Sequence, residues 1–160
     1  MPEVLPFELL RTFKFLISFV DDPEPVAGVS KCTLPAIKQE VISWRSAGQP
    51  RNSAFKLTGG TSYEPMTLEQ GMAIKDERFE DWANAVSNWK EGQGGHDPAN
   101  FRKDLIFDVM RLNGEIAQTY RIQGAWVSEF KLPEFDANTM NTIAITTLTV
   151  ECEGFYRDRP

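Results

Sequence analysis

The chain has 160 residues, of which 41% are hydrophobic and 25% are charged, and its formal net charge is −6. This length suits one folded domain, and this composition excludes an intrinsically disordered chain. The acidic balance, without any cluster of Lys and Arg, argues against a protein that binds nucleic acid with its whole surface.

The first half of the chain predicts a series of strands. Every second residue from Phe13 to Phe19 is Phe or Ile, which is the period of a strand with one buried face. Apolar residues then predict strands at 26–33, 37–44 and 63–70. The short spacing of these segments favours an all-β region with turns between the strands.

A polar stretch at residues 45–61 separates the third of these strands from the fourth, and it contains three glycines and one proline. It is too long for a tight hairpin turn, and long loops in small domains are often functional. We therefore predict a long exposed loop here. Its segment 56–62 lacks the Gly-Lys-Ser/Thr order and the following helix of a phosphate-binding loop, so nucleotide binding is not expected.

One helix is predicted at residues 76–90, because Phe79, Trp82 and Val86 recur at helical spacing on one face. Asp76 is suited to cap its first turn. A Gly-rich loop follows and contains the chain's one histidine, His96. No nucleophile or base accompanies this histidine in the sequence, so we expect a solvated loop residue rather than a catalytic group.

Four further strands are predicted at 105–112, 116–122, 125–132 and 142–152. The Asn-Gly pair between the first two is the strongest short signal for a β-hairpin. In all, seven or eight strands and one helix predict a mainly β, antiparallel β-sandwich or barrel-like fold with the helix packed on its side. We expect one domain over residues 1–160.

The last predicted strand changes parity at Thr146 and Thr147, because the apolar residues before and after them point to opposite faces. One explanation is a β-bulge at this point, which would restore one buried face. The other is a strand that leaves its own core and enters an interface with a neighbouring subunit.

Residues that could carry chemistry are few. Cys32 and Cys152 are far apart and, with one histidine, cannot form a closed zinc site. We expect two reduced, partly buried thiols, with a bridge between them as the alternative. We expect no catalytic residue, no metal and no cofactor, and therefore no enzyme. The first residues lack the basic region of a signal peptide.

Several short motifs then follow one another in a characteristic order over residues 10–157. After the Phe-rich strand come Lys-Leu-Thr-Gly at 56–59, Thr-Leu-Glu-Gln-Gly at 67–71, a helix with a Trp, a strand that runs into Pro133, and Glu-Cys-Glu-Gly at 151–154. This order resembles the tube proteins of contractile phage tails and related contractile injection systems.

The chain departs from that family pattern at two places. Thr58 stands where a proline is common, and Glu69-Gln70 stands where a basic pair is usual. The second departure argues against a salt bridge between rings that would use those bases.

The resemblance implies a structural subunit, six to a ring, whose strands join those of its neighbours into one barrel around a channel. Joined strands leave no exposed edge, and ring closure is a heterologous symmetric assembly. Stacked rings would form the tube, with a sheath, a baseplate and a tail terminator as protein partners. DNA would pass through the lumen without specific binding. The subunit would not insert into a membrane, and it would reside in the virion after assembly in the host cytoplasm.

The resemblance also gives the 45–61 stretch a role as an inter-subunit loop, and leaves residues 1–9 as an N-terminal extension. Ring or stacking contacts are predicted at Arg45, Gln49, Arg51, Asn52, Phe55, Lys56, Leu57, Thr146 and Thr147. Polar residues of the predicted hairpin would face the lumen: Asp104, Asp108, Gln118 and Thr119.

Three other interpretations remain open at this point. The chain would equally suit the inner tube of a headless contractile injection system, or a secretion-type ring protein or baseplate-proximal tube initiator of the same fold. A monomeric β-barrel binding module or enzyme is the interpretation from a different class, in which the 45–61 stretch is only an exposed loop.

Overall fold

The chain folds into nine strands and one helix over the residues that the computed structural model describes, which are 9–48, 50–72, 76–87 and 101–158. The elements are β1 (Phe15–Phe19), β2 (Val29–Thr33), β3 (Ile37–Trp44), β4 (Phe55–Tyr63), β5 (Met66–Gly71), α1 (Arg78–Ser87), β6 (Lys103–Met110), β7 (Ile116–Lys131), β8 (Ile145–Glu151) and β9 (Gly154–Asp158).

Two four-stranded antiparallel layers share the long strand β7. Its first half lies in the layer β1-β6-β7-β9, and its second half lies in the layer β7-β8-β5-β2. The sequence predicted two strands here, at 116–122 and 125–132, and this was wrong, because β7 is one strand of 16 residues. Gly124 lies between its halves with a φ of 61°, a conformation that glycine adopts without steric cost. Strand β9 was not predicted.

The hydrophobic core lies between the two layers and under the helix. Side chains of β1 and β6 meet those of β5 and β8 there, and Phe79 and Trp82 of α1 cover one side. The Trp82 ring packs edge-to-face on Phe19 at 5.3 Å, and its Nε1 donates to the carbonyl oxygen of Phe101 at 2.6 Å. The predicted mainly β fold with one helix on its side is therefore confirmed. Phe13, however, is 63% exposed and does not join the buried face of β1.

The start of α1 is held by a cluster of charges. Asp76 accepts hydrogen bonds from the Arg78 guanidinium and from the backbone nitrogen of Ala27, all at 2.9 to 3.0 Å. Arg78 also donates to the carbonyl oxygens of Glu24 and Pro25. The Arg78 side chain holds the pKa of Asp76 at about 2, well below its usual value of 3.8. These contacts fasten the helix to the segment that follows β1.

The predicted hairpin between β6 and β7 is confirmed. Its turn spans Arg111 to Glu115, and the backbone nitrogen of Arg111 donates a hydrogen bond to the carbonyl oxygen of Glu115 at 2.7 Å. Gly114 has a φ of 94°, and the Asn113 side chain accepts the backbone nitrogen of Glu115. The Asn-Gly pair thus supplies the left-handed residue and the local acceptor that such a turn needs.

The predicted bulge at Thr146 and Thr147 is wrong. The register between β5 and β8 runs without a shift from Met66 to Gly71, and Thr146 faces the interior of the subunit with 6% of its surface exposed. The parity change has a different cause: the earlier apolar residues, Ile143 and Ile145, point to the surface.

The predicted long loop at 45–61 is wrong for its second half. Residues from Phe55 onward form strand β4, which pairs antiparallel with β3 in a separate two-stranded sheet. Only the connection between Trp44 and Phe55 is without strand structure over its described part. The Gly-rich loop with His96, and all but Leu9 of the predicted N-terminal extension, lie outside the described residues. No helix within the described ranges is long and apolar enough to span a membrane.

Candidate assembly surface

The β3–β4 pair forms a ribbon that stands apart from the two-layer core. All eight residues of β3 are exposed, and β4 is exposed except at Gly59 and Tyr63. A strand of nine residues spans roughly 30 Å, so the ribbon is long for a chain of this size. A two-stranded ribbon without a covering layer is marginally stable by itself.

One face of the ribbon's far end is apolar. The register pairs Ile42 with Leu57 and Trp44 with Phe55, which places these four side chains on the same face. Each is between 50% and 55% exposed. Together they present roughly 400 Å² of apolar surface, which is within the range of the largest patches on monomeric proteins. We call these four residues the tip patch.

The ribbon is also the basic part of an acidic chain. Residues 37–63 contain four Lys or Arg residues and one acidic residue, Glu40, whereas the whole chain has a net charge of −6. Arg45 and Arg51 lie in the connection at the tip, where the Arg45 guanidinium reaches the carbonyl oxygen of Asn52 at 3.5 Å. Lys56 lies on the face opposite the tip patch, beside Ser43.

The other end of the ribbon is anchored to the core. The Tyr63 ring packs edge-to-face on Phe155 of β9, with 5.7 Å between the ring centroids. The backbone nitrogen of Glu64 donates to the carbonyl oxygen of Ala36 at 2.9 Å, which continues the pairing of β3 with β4 by one residue at this end. Because one end of the ribbon packs on the core and the tip is exposed, the tip patch lies on the surface of the subunit.

The structure brings several of the predicted contact residues together. Phe55 and Leu57 lie in the tip patch, Arg45, Arg51 and Asn52 lie in the connection next to it, and Lys56 lies on the opposite face of the ribbon. Gln49 lies outside the described residues. Thr146 is buried inside the subunit and Thr147 is half-buried on β8, so this pair does not extend the tip surface. Sequence reasoning missed Ile42 and Trp44, although four large apolar residues in a strand of eight were a usable signal.

The four predicted lumen residues do not share one face. Asp108 pairs directly with Thr119, whose hydroxyl donates to the Asp108 carboxylate at 2.8 Å. Asp104 lies four residues earlier on β6, on the same side, and its carboxylate accepts a hydrogen bond from the backbone nitrogen of Gly124. Gln118 is paired with Val109, on the opposite face of the sheet.

The described residues offer no chemistry of a catalytic centre. Burial raises the pKa of the Cys32 thiol to about 12, and burial also raises that of Cys152. Both thiols are free, and a protonated thiol is a poor nucleophile. No group of three His, Cys, Asp or Glu side chains within the described ranges is placed to hold a metal ion.

A family model described as T4-like virus tail tube protein gp19 matches residues 11–156 of this chain. No match was found in a search of curated proteins.

Solved structures with the same fold include three from contractile assemblies. A chain of the PVC sheath-tube complex, from an extracellular contractile injection system in the extended state, is 20% identical with a TM-score of 0.76, covering 94% of this chain and 91% of that one. The anti-feeding prophage cap, described as a tube terminating cap, is 19% identical with a TM-score of 0.78, covering 99% and 96%. A chain of the anti-feeding prophage baseplate is 14% identical with a TM-score of 0.75, covering 94% and 96%. At these identities the likeness establishes the fold.

Proposed function

Because this chain belongs to the T4-like virus tail tube protein gp19 family, and is therefore a structural, non-enzymatic tail tube protein, we propose that its copies close into hexameric rings that stack around a channel. In this proposal the tube is the inner tube of a contractile phage tail, and DNA passes through it without specific binding. The observation that carries the assembly proposal is the exposed β3–β4 ribbon with its apolar tip patch.

The energetic argument starts from the exposed apolar surface. Roughly 400 Å² at about 25 cal/mol per Å² corresponds to about 10 kcal/mol of gross hydrophobic free energy if the patch were fully covered. Association entropy and side-chain ordering offset part of this value. Covered sheet edges would have to supply the rest of the free energy that holds neighbouring subunits together.

The open edges of the sheet support ring closure. Within the described residues β1 and β2 lie at the two ends of the strand order and each has one hydrogen-bonded neighbour. Unpaired edges are prone to join another strand. Edge-to-edge contact between copies would cover them and extend the layers into a continuous barrel.

The partners follow from the same assignment. We propose a sheath around the tube, a terminating cap at one end and a baseplate at the other, because structural neighbours are described as a sheath-tube complex, a tube terminating cap and a 6-fold symmetrised baseplate. Asp104, Asp108 and Thr119 remain the proposed lumen residues, since acidic and hydroxyl side chains repel or release a polyanion. Assembly in the host cytoplasm is part of this proposal.

The test is the assembly state of the purified full-length chain. Light scattering after size exclusion and negative-stain electron microscopy would be recorded across a wide concentration range. We expect annular particles with six-fold averages, each of six copies of the 18.1 kDa chain, and tubes at high concentration. A chain that stays monomeric at every concentration would overturn the proposal.

A second candidate is the inner tube of a headless contractile injection system. It is favoured by the descriptions of the PVC and anti-feeding prophage neighbours, which are an injection system and a tube-bearing prophage particle. Purification of the native particle from its source would separate the two. A DNA-filled head attached to the tube would support the phage tail, and a capped tube without a head would support the injection device.

A further inference from the structure

A second exposed apolar surface lies on the connection between β7 and β8, residues 132–144, which we call the arm. Phe135 and Ile143 are 73% and 77% exposed, and they border a cavity of about 500 Å³ together with Ile145. This volume is in the range of the pockets in which proteins bind small molecules or side chains of a partner. A turn shapes the arm, since the Asp136 carboxylate accepts a hydrogen bond from the backbone nitrogen of Asn138 at 3.0 Å, and the Asp136 carbonyl oxygen accepts one from the backbone nitrogen of Thr139 at 3.1 Å.

The cavity is acidic as well as apolar. Glu134 and Asp136 line it, and residues 132–145 contain no Lys or Arg. The tip of the ribbon has the opposite combination, because Arg45 and Arg51 lie in the exposed connection that joins Trp44 to Phe55 of the tip patch. Complementary charge around two apolar surfaces aligns them and selects them against other pairings.

We propose that the tip patch of one copy docks into the arm cavity of a second copy, with Arg45 and Arg51 of the first near Glu134 and Asp136 of the second. This inference rests on the proposed tube assembly and names the surface that receives the ribbon. Trp44 and Phe55 are the anchors of the contact, since large aromatic side chains dominate the energy of such interfaces.

The contact is heterologous, because the tip patch and the arm cavity are different surfaces of the same chain. Such a contact repeats from copy to copy, and it closes into a ring or continues along an axis according to the rotation at each step. The ribbon is therefore the donor, and the arm is the acceptor, of one repeated interaction.

A charge-swap experiment tests this pairing. Arg45→Glu with Arg51→Glu reverses the charge at the ribbon tip, and Glu134→Lys with Asp136→Lys reverses the charge at the arm cavity. Each pair of changes alone should raise the concentration at which rings or tubes appear by about fivefold or more, since it replaces attraction by repulsion. The chain that carries all four changes should assemble again near the wild-type concentration. The controls are Lys38→Glu at the ribbon base and Glu64→Lys just after it, which should leave assembly unchanged.

Cross-linking provides a second test in a Cys32→Ser, Cys152→Ser background. Leu57→Cys combined with Ile143→Cys should form a disulfide ladder between copies on oxidation. Leu57→Cys combined with Leu112→Cys, which places the second thiol at the β6–β7 turn, should not. Circular dichroism and thermal melting of each variant establish that it is folded before assembly is scored.

The outcomes separate this inference from the proposed function. Wild-type assembly with no effect of either charge reversal, or no recovery in the four-fold variant, would overturn the docking of tip on arm and leave the tube proposal standing. A wild-type chain that forms neither rings nor tubes would overturn both. A ladder from the Leu57–Leu112 pair, without one from Leu57–Ile143, would place the tip on a different surface.

Discussion

The charge cluster at the start of α1 gives a stability prediction that can be worked through in numbers. Asp76→Asn removes the negative charge but keeps the shape of the side chain. Asp76 is 12% exposed and accepts from Arg78 and from the Ala27 backbone nitrogen, so its charge is well placed and largely protected from solvent. We expect the variant to lose about 2 kcal/mol of unfolding free energy at pH 7.

The magnitude follows from the pKa of Asp76, which is 3.8 ordinarily and about 2 in the folded chain. Each pKa unit of this difference corresponds to about 1.36 kcal/mol of unfolding free energy. Because the folded-state pKa is lowered, this contribution is complete above the ordinary value and is lost as the pH falls through about 2. The difference between wild type and variant should therefore shrink to about half its neutral value near pH 3.

Urea unfolding of both chains at pH 7, 4 and 3 measures this difference directly. Only the difference in unfolding free energy between wild type and variant is compared across pH, because the other carboxylates titrate equally in both chains. Asp22→Asn is the matched control: its contact with Arg78, at 3.2 Å, is half exposed and should contribute less than about 1 kcal/mol. A wild-type minus Asp76→Asn difference that stays constant from pH 7 to pH 3 would refute the reasoning.

Three further predictions concern the core, the bend in β7 and the tip patch. Trp82→Ala should lower the unfolding free energy by about 3–5 kcal/mol in urea titrations, because it empties a fully buried site and leaves the Phe101 carbonyl unpaired. Gly114→Ala should lower the melting temperature more than Gly124→Ala: the φ of 94° at Gly114 lies outside the left-handed region that alanine can adopt, whereas Gly124, at 61°, lies within it and only the movable end of the Glu153 side chain stands near the new Cβ. Trp44→Ser should change the unfolding free energy by less than about 0.5 kcal/mol and still abolish ring or tube formation by electron microscopy.

Sequence patterns located the elements that bury a face. The strand before Phe19 and the helix with Phe79 and Trp82 were found because apolar residues there recur at the period of their structure. The Asn-Gly turn was found because its chemistry is local. The packing of the helix on one side of the sandwich also followed from its single apolar stripe.

The errors share one physical cause, which is that the pattern was read as if every element touched the subunit's own core. Strand β4 has no alternation, since neither face is buried within the subunit and its Gly59-Gly60 pair lies where the register shifts against β3. The break expected in β7 falls at Gln123 and Gly124, whereas in the structure Gly124 lets one strand pass from one layer to the other. Neither outcome is encoded in local periodicity.

The same cause explains why the tip patch was only half identified. Where a strand contacts another subunit instead of its own core, its apolar positions match the surface of that subunit rather than the period of a buried strand. Ile42 and Trp44 on β3 face Leu57 and Phe55 on β4, and only the pairing of the two strands reveals that these four belong together. A polar stretch that contains isolated large apolar residues, next to a strand of the same kind, is therefore better interpreted as an unpartnered hairpin than as a loop. In this chain that interpretation turns a poorly patterned stretch into the surface on which the proposed assembly depends.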